Sequence, residues 1–120
     1  MKPSKLDVFE HILLDGACWV NFDARVKGVR VPKRYKNRPN VELQFGFYES
    51  DDLSFDGHSV SATLSFDGVR SFCYVPWAAV FAVRNEDGLG MVWEESRPAD
   101  ALEEPLEQKV ERRLRLVHSR

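Results

Sequence analysis

The sequence predicts a mainly β domain behind a single N-terminal α-helix, its short strands forming a small, strongly bent sheet or barrel and its C-terminal end forming a tether and tail. Three observations carry this. Apolar residues recur at spacings of three and four only near the N-terminus; from Trp19 onward they alternate with polar ones; and after Trp93 the composition turns acidic and then basic. The 120 residues are enough for one core and too few for two.

The helix begins at Pro3-Ser4-Lys5-Leu6-Asp7. Ser4 can accept from a free N–H of the first turn, Asp7 suits the positive end, and Leu6, Phe9 and Leu13 form an apolar stripe that Gly16 ends. Val8 and Ile12 widen that stripe, so part of it packs on the domain and the remainder can meet a second copy. Val20, Phe22, Ala24 and Val26 then alternate with Asn21, Asp23 and Arg25, the pattern of a half-buried strand. A turn at Lys27-Gly28 leads to a strand Val29-Arg30-Val31 that Pro32 stops. Further alternations run through Val41, Leu43, Phe45 and Phe47, then Val60, Ala62, Leu64 and Phe66, then Phe72 and Tyr74, and after Pro76 from Val80 to Val83. Asp56-Gly57, Asp67-Gly68 and Asp87-Gly88 supply the turns between them.

These elements give a folded unit over residues 1–95. Residues 96–112 read as a solvated acidic linker, because residues 94–107 hold Glu94, Glu95, Asp100, Glu103, Glu104 and Glu107 against Arg97 alone, with Pro98 and Pro105. From Glu95 to the tail it would span on the order of 23 Å as a flexible coil. Residues 113–120 reverse the sign and embed Leu114, Leu116 and Val117 among arginines. Leu106, Val110, Leu114 and Val117 also recur at helical spacing, so a C-terminal helix is the competing reading.

The 17 basic and 19 acidic residues balance to a net charge of -2, which excludes a wholly basic nucleic-acid coat and an acidic disordered chain. Cys18 and Cys73 lie in apolar alternating segments, as expected of buried thiols in a reducing cytosol. Nothing resembles an export signal or a membrane span, so a soluble, unexported, cytoplasmic protein is expected. His11, His58 and His118 share no face, the cysteines form no CxxC pair, and Gly88-Leu89-Gly90 opens no apolar helix. No metal site, phosphate loop or cofactor is therefore expected. A Cys73 nucleophile with a His58 base would sit in an apolar strand that suppresses the thiolate. A binding module is expected, not an enzyme.

The feature that most invites a partner is the run Arg25, Lys27, Arg30, Lys33, Arg34, Lys36 and Arg38, seven cations with no acid across residues 24–38. It attracts anions, or it simply guards a strand edge from aggregation. Tyr35, Phe45, Phe47, Tyr48 and Phe55 nearby suit stacked nucleobases or a peptide groove.

Three sets of segments follow one another in order: Val26-Lys27-Gly28-Val29-Arg30-Val31-Pro32 with Tyr35 and Val41-Glu42-Leu43; Ala62-Thr63-Leu64-Ser65-Phe66-Asp67-Gly68; and Val75-Pro76-Trp77-Ala78-Ala79-Val80-Phe81-Ala82-Val83 with Gly88-Leu89-Gly90 through Glu94. Taken together they resemble the SspB family of adaptors that deliver tagged proteins to the ClpXP protease. The resemblance covers residues 4–95. It implies an Sm-like β-barrel, a homodimer made through the helix (Leu6, Phe9, Leu13), and a groove for the ssrA tag of stalled translation products. The groove walls would come from Leu43, Phe45, Gly46, Phe47 and Tyr48 and from Ala62, Leu64, Ser65 and Phe66, with Ser65 standing where relatives carry Arg. Leu114-Arg115-Leu116-Val117 resembles the family's tail motif, which implies docking on the ClpX ATPase. The alternative is an Sm-like RNA-binding protein that uses the basic run.

Overall fold

The computed structural model describes residues 2–101 and 106–107, and the expected docking residues Leu114, Arg115, Leu116 and Val117 lie outside them. Helix α1 spans Lys5–Leu13. As the sequence indicates, the Ser4 hydroxyl accepts from the Asp7 amide at 3.1 Å, so one orphan donor of the first turn is satisfied. Eight strands follow: β1 (Cys18–Phe22), β2 (Val41–Phe45), β3 (Asp51–Phe55), β4 (Ser59–Phe66), β5 (Val69–Pro76), β6 (Val80–Arg84), β7 (Gly90–Val92) and β8 (Leu106–Glu107).

They form a five-stranded sheet in the order β7-β6-β1-β2-β8 and a three-stranded sheet in the order β3-β4-β5. All pairings are antiparallel except β2 with β8. Among the described residues no continuous ladder joins the two sheets, so the strands do not close into a ring. The mainly β class with one N-terminal helix holds as expected.

One core lies between the sheets and under α1. Val20 and Phe22 of β1, Val41, Leu43 and Phe45 of β2, Val60, Ala62, Leu64 and Phe66 of β4, and Cys73 and Val75 of β5 all point into it. Phe9 fixes the helix to both sheets. Its ring meets Phe45 of the first sheet at 6.1 Å, Phe55 of the second at 5.3 Å and Trp77 at 5.4 Å, all edge-on. Such geometry adds about 0.5–1.5 kcal/mol per pair beyond area burial. Trp77 in turn holds the β3–β4 turn, donating from Nε1 to the Asp56 carbonyl at 2.7 Å and from its amide to the His58 carbonyl at 2.9 Å.

Three sequence expectations change. The strand expected at Val29–Val31 shrinks to one antiparallel bridge, Arg30 with Tyr74, because Pro32 brings no amide to extend a ladder. In β5 the buried residues are Cys73 and Val75, while Phe72 is exposed and Tyr74 half-buried, so the strand turns its larger rings outward. Strands β3 and β7 form where no alternation was apparent. Among the described residues, contacts also run past residue 95. Asp100 pairs with Arg25, Ala101 is buried beside Phe81 and Ala82, and residues 106–107 pair with β2. The acidic composition of this stretch favours water only where no cation on the domain claims its carboxylates. Among the described residues no helix is long and apolar enough to cross a membrane.

Candidate peptide-binding site

The two strands expected to line a groove are present as β2 and β4, and burial sorts their residues. Leu43, Phe45, Ala62, Leu64 and Phe66 face the core and cannot touch a ligand without unfolding; their part is to set the backbone. The outward residues of β4 are Ser61, Thr63 and Ser65, each half-buried. Directly opposite them on β5 lie Tyr74, Phe72 and Arg70. Opposed residues of an antiparallel pair share a face. The outer face of the smaller sheet is therefore a row of three hydroxyls beside a phenol, an exposed phenyl ring and a guanidinium. Arg70 also pairs with Asp51 of β3. The apolar letters of this strand mark its inward parity, and the residues open to a ligand are the polar ones between them.

At the far end of β2 the chain turns sharply. The Ser50 amide donates to the Gly46 carbonyl at 3.0 Å, and the Gly46 amide donates to the Ser50 hydroxyl at 3.2 Å. This closed turn projects Phe47 and Tyr48 outward, 63% and 98% exposed. With Leu14, 81% exposed, Leu13 and Ala17 they line a groove of ≈ 460 Å³ between the end of α1 and the turn. Asp15 and Glu49 give it a negative rim. Of the residues expected at a dimer contact, Phe9 and Leu13 are buried within the single chain and Leu6 is half-buried. The exposed apolar surface has moved to Leu14, Phe47 and Tyr48, because both sheets already cover the stripe.

The basic run is partly neutralised by the chain itself. Arg25 donates to Asp23 at 2.9 Å and to both carboxylate oxygens of Asp100 at 2.8 and 3.0 Å, which holds Asp100 below the usual carboxylate range. Arg34 pairs with Asp67 at 2.9 Å and lies 5.1 Å from the centre of the Tyr35 ring. Tyr35 itself is buried against Phe66. Exposed Lys27, Arg30, Lys33, Lys36 and Arg38 complete the patch. The patch and the exposed rings of Phe47 and Tyr48 lie at opposite ends of the five-stranded sheet. The basic run follows Phe22, which faces Val41, and the aromatic turn follows Phe45, which faces Cys18. Four residue steps of strand, about 13 Å, separate those ends.

The far side of β1 and β2 carries a feature the sequence did not disclose. Glu42 and Gln44 are buried there, and Arg84 of β6 reaches across β1 to form an ion pair with Glu42. Lys5 was likewise unmarked. Its ammonium donates to the Trp77 carbonyl and the Ser96 hydroxyl at 2.8 and 2.9 Å, tying the helix start to the segment after β7, and burial lowers its pKa. Both thiols are enclosed, and desolvation pushes Cys18 and Cys73 up to about 12, where neither is a nucleophile at neutral pH.

Open strand edges, a hydroxyl-bearing sheet face and exposed rings make this a small, mainly β domain with surfaces open to a partner. The chain belongs to the SspB family: the model of that family, described as Stringent starvation protein B, matches residues 7–115. This is a family of adaptors associated with proteolysis. No curated protein matches the chain.

Proposed function

We propose that the chain is a ClpXP adaptor that binds ssrA-tagged or similarly marked proteins and tethers them to the ClpX ATPase through its tail. The observation that carries this reading is the extent of the family match, which starts in α1, spans both sheets and reaches Arg115 in the basic tail. In this reading the tag lies extended along β2 and β4. Leu43, Phe45, Ala62, Leu64 and Phe66 shape the wall from behind, Gly46 sets the turn, and Ser65 meets the peptide together with exposed main chain. Extended peptides gain affinity from main-chain pairing and specificity from alternate side chains. Arg70, opposite Ser65, keeps a cation on the face where relatives place theirs. The Sm-like closure of the two sheets and a cytoplasmic location belong to the same proposal.

Leu114, Leu116 and Val117 are the proposed anchors on ClpX, with Arg115 adding charge. The proposed homodimer contact is the end of α1 with Leu14, Phe47 and Tyr48, because these are the exposed apolar residues beside the helix. Tethering raises local substrate concentration toward the millimolar range without any new contact with the substrate.

The test is a pair of measurements on the full chain and on a chain lacking residues 113–120. Both bind a labelled ssrA-tag peptide by fluorescence anisotropy, and only the full chain stimulates degradation of a tagged protein by ClpXP. Absence of peptide binding at tens of micromolar ends this reading. RNA binding through the expected aromatics loses support, because Tyr35 and Phe45 belong to the core and the turn carrying Phe47 and Tyr48 is separated from the cations by the length of β1.

A further inference from the structure

We infer that the outer face of the smaller sheet, with the basic run along its β5 edge, is a binding surface for single-stranded RNA. The inference goes beyond the adaptor reading, which gives the basic run no task. Contacts lay residues 28–35 beside β5 from one end of that strand to the other. Gly28 abuts Pro76, where an added Cβ would lie 3.2 Å from Pro76 Cγ. Arg30 and Tyr74 exchange both main-chain hydrogen bonds, at 2.8 and 2.9 Å. Arg34 reaches Asp67 in the β4–β5 turn at 2.9 Å, and the ring centres of Tyr35 and Phe66 lie 5.2 Å apart. A pair that exchanges both bonds puts its side chains on one face. Arg30 therefore stands beside Tyr74 on the outer face, since the alternate residues Cys73 and Val75 point into the core.

On that face Phe72 and Tyr74 are two residues apart, about 7 Å along the strand. Phe72 is 51% exposed and Tyr74 half-buried, so the sheet holds each ring and leaves part of it to a ligand. Thr63 and Ser61 stand opposite them, and Ser54 stands opposite Ser61. Unstacked bases lie on aromatic rings set this way on a sheet, cations take the phosphates, and hydroxyls suit the 2′-OH that marks RNA. The charge across the face is graded to match. Exposed Lys27, Arg30, Lys33 and Lys36 belong to or flank the segment at the β5 edge, whereas Asp51 and Asp52 belong to β3 at the other edge. Asp51 and Asp67 are already held by Arg70 and Arg34. A peptide is the poorer occupant at this edge. Strand β5 pairs with β4 over its whole length and meets Arg30 on its other side, so rings and charges, not a main-chain ladder, must hold the ligand. Cations that only guarded an edge would not need an exposed phenyl ring beside them.

The full chain is titrated into a short fluorescein-labelled oligouridylate by fluorescence anisotropy over a series of salt concentrations, with the DNA counterpart of the same length alongside. RNA binding should be saturable, with a log–log salt slope of about −2 to −3, as expected when three or four phosphates of a single strand are neutralised at about −0.7 each. Phe72→Ala should weaken binding about ten-fold with little change in slope. Arg30→Gln should make the slope shallower by about 0.7. Phe47→Ala, at the far end of the larger sheet, should bind as wild type does. Lys33→Gln with Lys36→Gln is the second charge variant should circular dichroism show that Arg30→Gln misfolds. No saturable RNA binding, unchanged affinity in Phe72→Ala, or DNA bound as tightly as RNA overturns the inference. So does a Phe72→Ala chain that loses the labelled ssrA-tag peptide while keeping RNA, since the face then belongs to the peptide. Wild-type binding of the tag peptide is measured separately, so the adaptor reading and this inference fail independently.

Discussion

Gly90 shows how a single hydrogen atom can be a structural requirement. A Cβ placed there would lie 2.6 Å from Arg84 Cα and 2.8 Å from the Val83 carbonyl carbon, both backbone atoms of the neighbouring strand. Gly90→Ala should therefore destabilise the domain by about 1–3 kcal/mol, the usual cost of overpacking, and lower the urea midpoint accordingly. Asp56 and Asp100 contribute to the response to acid. Asp56 accepts from the His58 and Ser59 amides at 2.8 and 3.0 Å and Asp100 from Arg25, and these bonds lower both pKa values. A carboxylate favoured in the folded state contributes stability that is complete above its unfolded pKa, near 3.8, and lost as pH falls through the lowered value. Thermal midpoints should fall on acidification below about pH 4, and Asp100→Asn should make that fall shallower. An unchanged profile in the variant would show that Asp100 contributes nothing to it.

At the scale of elements, local chemistry was the most legible part of the sequence. Ser4 caps α1 as its position before an apolar period indicates, and Ser4→Ala should cost about 1 kcal/mol in chemical denaturation, with Ser4→Asp recovering most of it. Asp67-Gly68 turns the β4–β5 hairpin with positive φ at both residues, 52° and 84°, the geometry for which that dipeptide is selected. Strand β3 escaped notice because Asp51, Asp52 and Ser54 face water and only Leu53 and Phe55 are part-buried. A strand with one packed neighbour needs little apolar signal. The outward face of β5 was misassigned for the opposite reason: Phe72 and Tyr74 are larger than Cys73 and Val75, and size is a poor guide to which parity is buried when the space behind the sheet is already filled.

For the whole molecule, the question is what the chain leaves uncovered. Leu14, Phe47 and Tyr48 form an apolar patch around a groove with acidic rims, which suits a second copy better than an acidic tag. Leu14→Glu with Phe47→Glu should shift the chain from dimer to monomer in analytical ultracentrifugation while preserving the circular dichroism of the fold. A monomeric wild type would remove the proposed interface. The patch could not be read from periodicity, since α1 presents Phe9 and Leu13 just as prominently, and only the position of the two sheets decides which side of the helix remains in water.

By itself the sequence determined the helix and its cap, the hairpin turns, the apolar strands of the core, the burial of both thiols and the family. These depend on near neighbours, on period, or on segment order. The tertiary structure decided which parity of β4 and β5 faces outward and which cations of residues 24–38 are already paired. It also brought Asp100 against Arg25 and residues 106–107 beside β2. Arg25 and Asp100 are 75 residues apart, and Val41 and Leu106 are 65 apart. Their attraction exists only after the sheets have brought them together, so composition could show an acidic stretch and a basic one but not that they would meet.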